Sequence, residues 1–121
     1  MNAKRTLVVG ASPKPERYAY KAVARLAEAG HEPIALGIRP GKILNHDIIT
    51  ERKAFENIHS ISLYVGPARQ PEYYDYLLSL NPKRIIFNPG TENPEFMQLA
   101  ESKGIEVEEA CTLVMLSLGV F

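Results

Sequence analysis

Cysteine is almost missing from this chain: Cys111 is the only one in 121 residues. One cysteine cannot close an internal disulfide, so a reducing cytoplasm is the expected compartment. Excess charge is also missing. Fourteen basic residues balance fourteen acidic ones. That excludes a general polyanion binder, and no nucleic-acid partner is expected, although a local basic rim remains compatible. Long apolar runs are missing too. The longest, Leu113–Phe121, contains Ser117 and Gly119 and falls far short of the ~18 residues of a spanning helix. No membrane association is expected. Met1–Arg5 leads directly into an apolar stretch, which predicts no signal peptide. No H-x-x-H or C-x-x-C spacing occurs, so no metal site is expected. There is no internal repeat and no low-complexity segment. The length and the 45% hydrophobic content predict one globular domain over residues 1–121.

The nucleotide motifs are informative for what they omit. No G-x-x-x-x-G-K-[ST] is present, which excludes a P-loop ATPase. Thr6–Ser12 reads Thr-Leu-Val-Val-Gly-Ala-Ser, an apolar run into Gly10, followed by Pro13-Lys14-Pro15-Glu16-Arg17 and a helical pattern up to Gly30. A strand, a backbone loop and a helix form the phosphate corner of open α/β sheets. An ordinary tight corner would read the same way. The second and third glycines of the dinucleotide fingerprint are absent after Gly10. Where that fingerprint places an acid, after the second strand, this chain has Gly37-Ile38-Arg39 and then Lys42. A carboxylate there accepts from a free ribose hydroxyl, whereas a cation suits a phosphorylated ribose. The ligand suggested is a nucleotide with a pyrophosphate and an extra ribose phosphate. Coenzyme A and NADP both fit; NAD fits poorly.

Strand and helix patterns alternate along the chain. Tyr18–Ala29 reads as a helix with an apolar stripe of Tyr20, Val23, Ala24, Leu26 and Ala27, closed by Gly30. Glu32–Ile38 is the second strand. Gly41–Asn57 is compatible with either a short helix or a small edge hairpin. Ile61–Val65 is the third strand and ends at Gly66-Pro67. The next helix has Gln70 at its cap and Pro71 at its first position, and stops at Asn81-Pro82. Arg84–Asn88 is the fourth strand, and Asn88-Pro89-Gly90-Thr91 predicts a type II turn. Asn93-Pro94-Glu95 opens a helix that Lys103-Gly104 closes. Glu106–Glu108 is a last strand and Thr112–Leu118 a terminal helix. This alternation predicts an α/β fold with helices on both faces of a parallel five-stranded sheet, order 3-2-1-4-5. Gly10–Ser12, Gly37–Arg39, Gly66-Pro67 and Asn88–Thr91 would then share one edge of the sheet.

The stretch Val9-Gly10-Ala11-Ser12-Pro13-Lys14-Pro15-Glu16-Arg17-Tyr18 resembles the opening signature of the small stand-alone CoA-binding proteins. Their fold is that of the CoA-binding domain of the succinyl-CoA synthetase alpha subunit. The resemblance runs on through Leu26–Gly30, Phe87–Thr91 and Cys111. It implies a three-layer, Rossmann-like fold with coenzyme A, or an acyl-CoA, along the carboxyl edge. Gly10, Ala11 and Ser12 would line the phosphates, with Lys14 and Arg17 nearby. Gly37, Ile38, Arg39 and Lys42 would sit by the adenosine. Gly66, Pro67, Asn88, Pro89, Gly90 and Thr91 would lie toward the pantetheine. The chain departs from the family pattern after the second strand, where Gly37-Ile38-Arg39-Pro40 replaces an Asn-Pro.

Other reactive side chains read as bland. Cys111 is a nucleophile, a redox partner for a thiol ligand, or a small core residue, and the last is favoured. His46 and Asp47 read either as a base with its orienting carboxylate or as solvated surface residues; adjacent residues in a loop rarely face each other, and the surface reading is favoured. His31 and His59 fall at strand entries. Tyr73, Tyr74 and Tyr76 either stack on a base or pack on their helix; packing is favoured. No catalytic residue is assigned. The expected function is CoA binding without catalysis. An NADP-dependent subunit and an interaction subunit with a vestigial site are the alternatives, and either a homodimer or a partner enzyme chain remains open.

Overall fold

Leu7, Val8 and Val9 are wholly buried, because their strand is covered on both faces and paired on both edges. The computed structural model describes residues 3–121; Met1 and Asn2, which begin the run expected to exclude a signal peptide, lie outside them. Strand β1 (Arg5–Val9) alternates its side chains between two cores. Leu7 and Val9 join one cluster, with Ile61, Leu63, Ile85, Phe87 and Phe96. Val8 joins the other, with Ala19, Val23, Leu26, Ile86 and Met115.

Helix α1 (Tyr18–Glu28) packs on the Val8 face, burying Ala19, Ala22, Val23 and Leu26. The chain then forms β2 (Glu32–Leu36), β3 (Lys42–Ile43), β4 (His46–Ile49) and β5 (Ser60–Leu63). A 3₁₀ helix, Pro67–Tyr73, runs into α2 (Tyr74–Ser79). Last come β6 (Arg84–Phe87), α3 (Pro94–Ser102), β7 (Glu106–Glu109) and α4 (Thr112–Leu118). The result is an α/β, Rossmann-like sheet with helices on both faces.

The sheet corrects the expected five strands and their order. Among the described residues, seven strands run β3-β4-β2-β1-β5-β6-β7. All neighbours are parallel except the β3–β4 hairpin. Of the five long strands, the third therefore lies beside β1, on the side away from β2. The cause is the 42–49 segment. It forms the edge hairpin, and β4 pairs Ile48 with Ala35 and Ile49 with Leu36, occupying the free edge of β2. The chain then returns without a helix. Phe55 and Ile58 pack on the Leu7 face, and the His59 amide donates to the Arg5 carbonyl at 2.9 Å, docking β5 against β1.

The connections thus diverge between β1 and β5, one toward β2 and the other toward β6. In open α/β sheets the crevice above such a divergence is where ligands bind. One local expectation also changes. Gln70 does not cap a helix; it is fully buried inside the 3₁₀ helix, whose cap is Gly66. Other boundaries move by a residue or two.

Candidate functional site

The crevice is shaped by two glycines. Gly10 has φ +98°, and a Cβ there would stand 3.2 Å from the Tyr64 backbone. Only glycine lets the chain leave β1 this close to the exit of β5. A Cβ at Gly37 would meet the Ala11 carbonyl oxygen at 2.4 Å and Ile48 Cγ2 at 2.9 Å. Gly37 therefore lets the exit of β2 cross the loop, and it is buried rather than presented to the crevice. The amides of Gly10 and Ala11 both donate to the Leu36 carbonyl, at 3.0 and 2.9 Å. They tie the loop to β2 and are not free for an anion. The Ser12 amide donates to no group among the described residues. Ser12 Oγ accepts from the Lys14 amide at 3.2 Å. The Arg17 amide donates to the Lys14 carbonyl at 3.0 Å, which bends the chain into α1. That helix has no side-chain cap, so the amides of Tyr18, Ala19 and Tyr20 lack intrahelical acceptors. The helix dipole favours an anion there.

Above these elements opens a cleft of about 550 Å³. Gly10, Ala11, Ser12, Pro13, Lys14 and Arg17 form one wall, with Tyr18 and Ala19 at the start of α1. Ile38 and Arg39 close the β2 end; Tyr64, Val65, Gly66, Arg69 and Tyr73 follow β5; Pro89, Gly90 and Thr91 follow β6. Four of these residues are cations, Lys14, Arg17, Arg39 and Arg69, and none is an aspartate or glutamate. In a chain of zero formal net charge, that is a local concentration of positive potential.

Eleven of the fifteen expected ligand residues line the cleft. The other four lie elsewhere. Gly37 serves the crossing just described. Lys42 is on the edge hairpin, 3.7 Å from Asp47. Pro67 begins the 3₁₀ helix. Asn88 is buried beneath the cleft floor, where its Nδ2 donates to Ser62 Oγ and to the Leu63 carbonyl, and its Oδ1 accepts from the Thr112 amide at 2.8 Å. The Asn88–Thr91 turn has Gly90 at φ +93° and a Thr91 amide donating to the Asn88 carbonyl at 3.0 Å.

The sequence reading missed Tyr64 and Arg69. Arg69 lies two residues beyond Gly66-Pro67 and Tyr64 two residues before it, inside the stretch read as the third strand, so widening the search by two residues on either side of that strand end would have found both. The Tyr64 hydroxyl is buried without a hydrogen-bond partner, and burial pushes the phenol up to about 12. Tyr73 also borders the cleft, with the Arg52 guanidinium 4.1 Å from its ring centroid. Tyr74 stacks on Phe96 at 4.6 Å, and the Tyr76 hydroxyl donates to the Lys53 carbonyl at 2.6 Å. Both are structural contacts. Cys111 is half-buried and does not border the cleft. Asp47 is exposed and pairs with Lys42, not His46.

His31 and His59 sit at the opposite, amino edge of the sheet. The Lys4 amide donates to His31 Nδ1 at 3.0 Å. Burial holds both imidazoles below their ordinary pKa, with Lys4 and Arg84 adding to the shift.

Comparisons with known proteins show the family and the fold. The family described as the CoA binding domain matches residues 4–117. A crystal structure of an uncharacterized protein superimposes with a TM-score of 0.97 at 48% identity, covering 100% of both chains. A Thermus thermophilus protein has a TM-score of 0.85 at 20% identity, over 98% of this chain and 91% of that one. A hypothetical protein from Pyrococcus horikoshii OT3 has a TM-score of 0.81 at 24% identity, over 96% and 83% respectively. The last two show a shared fold alone. No curated protein matches the chain.

Proposed function

The chain belongs to the family of CoA binding domains, and from that premise we propose that it holds coenzyme A or an acyl-CoA across the carboxyl edge of the sheet. The observation that carries this reading is the cleft at the β1–β5 divergence, where the loops after β1 and β2 bring Lys14, Arg17 and Arg39 to a lining without a carboxylate. Such a lining suits a ligand with several phosphate charges. In this reading the pyrophosphate lies by Ser12 and the start of α1, between Lys14 and Arg17. The adenosine extends toward Ile38 and Arg39, with Arg39 on the ribose phosphate. The pantetheine runs over Gly66 and the Pro89–Thr91 turn.

The protein acts as a holder of the ligand and not as a catalyst. Supporting this, the cleft lining contains no histidine, cysteine, aspartate or glutamate to serve as nucleophile or general base. Any acyl chemistry would belong to a partner enzyme chain or need a second copy of this one. The cytoplasm is the proposed location, in keeping with a single unpaired cysteine and with no helix among the described residues long and apolar enough to cross a membrane.

Arg39 would also suit the ribose phosphate of NADP, so that ligand is the competing reading. A thermal-shift series with CoA, acetyl-CoA, NADP and NAD separates them, since a ligand that binds only the folded state raises its melting temperature. CoA is expected to raise Tm and NAD to leave it unchanged. Calorimetry showing NADP or NAD to bind more tightly than CoA would sink the proposal.

A further inference from the structure

Three of the cleft's cations, Lys14, Arg17 and Arg39, stand on the loops that follow β1 and β2. The fourth, Arg69, stands apart on the 3₁₀ helix after β5. Resting on the CoA reading above, the two groups face different chemistry. All the phosphates of CoA are in its nucleotide half, and the pantetheine arm is neutral. An arm leaving the β1 loop and running toward the β6 turn passes into the part of the cleft that Arg69 borders. Neither the arm nor the free thiol requires a guanidinium there.

The backbone of Arg69 is held in place, and its guanidinium is poorly neutralised. Its helix carries Pro67 and Pro71, and its amide donates to the Gly66 carbonyl at 3.0 Å. The neighbouring Gln70 is fully buried. Gln70 Nε2 donates to the Val65 carbonyl at 2.8 Å and to the Thr91 carbonyl at 2.7 Å, which locks the helix to the exits of both β5 and β6. The acid nearest to Arg69 is Glu72, at 4.0 Å. Glu72 is already engaged by Arg52 at 3.3 Å. The Arg69 side chain remains 56% exposed. There is also room beside it: a Cβ built on Gly66 or Gly90 meets nothing within 4 Å.

We infer that the cleft selects a CoA thioester whose acyl group ends in a carboxylate, with Arg69 as the residue that reads it. A guanidinium offers paired N–H donors that match a carboxylate's two oxygens. A neutral acyl group leaves Arg69 in water and gains nothing from it.

The test is calorimetric titration with acids paired to neutral acyl groups of matching length: malonyl-CoA against propionyl-CoA, and glutaryl-CoA against valeryl-CoA, beside free CoA. In at least one pair the acid is expected to bind roughly tenfold more tightly, which corresponds to a charge-assisted contact of about 1.4 kcal/mol. In Arg69→Gln that difference should vanish while free CoA binds as before; in Arg69→Lys part of it should survive. Equal affinity within both pairs overturns the inference and leaves the CoA reading standing. A uniform loss of CoA and every thioester in Arg69→Gln also overturns it, because Arg69 would then serve the pyrophosphate. Failure of the parent protein to bind CoA at all overturns the underlying reading, and the inference with it. Urea unfolding of both variants checks that the fold is unchanged.

Discussion

At the scale of single residues, the cleft separates side chains that shape it from side chains that face it. Gly10 shapes it. Its φ of +98° and its approach to the Tyr64 backbone predict that Gly10→Ala costs about 1–3 kcal/mol of stability without any ligand. The urea midpoint of the free protein measures this. An unchanged midpoint would show that the glycine is there for the ligand alone. Arg39 and Lys42 look equivalent in sequence, but only Arg39 borders the cleft, while Lys42 leans on Asp47 at 3.7 Å. Arg39→Ala is therefore expected to weaken CoA about tenfold, as loss of one charged phosphate contact does. It should leave dephospho-CoA, which lacks the ribose phosphate, nearly unaffected. Lys42→Ala should change neither. Equal losses for the two ligands in Arg39→Ala would mean that the residue acts through the general field.

His31 gives a pH dependence away from the cleft. Its Nδ1 accepts the Lys4 amide at 3.0 Å, so protonation there would set donor against donor. Burial, then Lys4 and Arg84, lower its pKa, and His59 is lowered by burial with Arg84, Lys4 and Lys83. With the folded value below the unfolded one, the unfolded chain takes up protons first. The stabilisation is thus complete above the ordinary histidine pKa of about 6.5 and declines as pH falls below it. Urea midpoints at pH 7.5 and 5.5 should show that decline, and His31→Asn, which keeps an acceptor without titrating, should reduce it. An identical decline in the variant would remove His31 from the account.

At the scale of elements, the 3₁₀ helix Pro67–Tyr73 holds the cleft's far side together. Gln70 links three segments: Val65 after β5, Thr91 after β6, and Asn93, whose Nδ2 donates to Gln70 Oε1 at 2.9 Å. Asn93 in turn caps α3 by accepting from the Glu95 and Phe96 amides. Gln70→Ala would leave buried carbonyls and the Asn93 amide short of partners, at about 1–3 kcal/mol for each unsatisfied group. A loss of several kcal/mol is expected from urea unfolding, far more than from Arg69→Ala one residue earlier on the exposed side. Comparable effects of the two would mean that water replaces Gln70. The sequence signals for this element were misleading. Pro71 after a glutamine resembles a helix start. The actual start, Pro67 after Gly66, lies a turn earlier, and the polarity of Gln70 hides its burial. The α3 cap at Asn93 and the Asn88–Thr91 turn were legible, because both depend only on neighbouring residues.

At the scale of the whole molecule, charge balance conceals charge placement. Fourteen bases and fourteen acids cancel, yet the cleft holds bases alone. Acids such as Glu32 and Glu108 pair with arginines elsewhere, at 3.0 and 3.1 Å. Ligand binding should therefore be more sensitive to salt than folding is. Raising ionic strength from 0.05 to 0.5 M shortens the screening length severalfold, from about 14 Å to about 4 Å, and CoA affinity should fall severalfold while the urea midpoint barely moves. Salt-independent affinity would show that binding does not depend on the field of these cations.

The sequence by itself determined the kinds of elements, their succession along the chain, the strand–loop–helix corner after β1 and the family. These depend on local patterns: apolar runs, helical stripes, caps and turns. Only the tertiary structure decided where the strands lie in the sheet. Nothing local in Gly41–Asn57 says that β4 will occupy the free edge of β2 through Ala35 and Leu36. Nor does it say that the chain will then cross the other face without a helix to reach Arg5. Strand order is a competition between edges, settled by which segment pairs there and by the burial its return path allows. That outcome placed the crevice between β1 and β5, put Lys42 on the edge hairpin away from the cleft and brought Arg69 to the cleft's border.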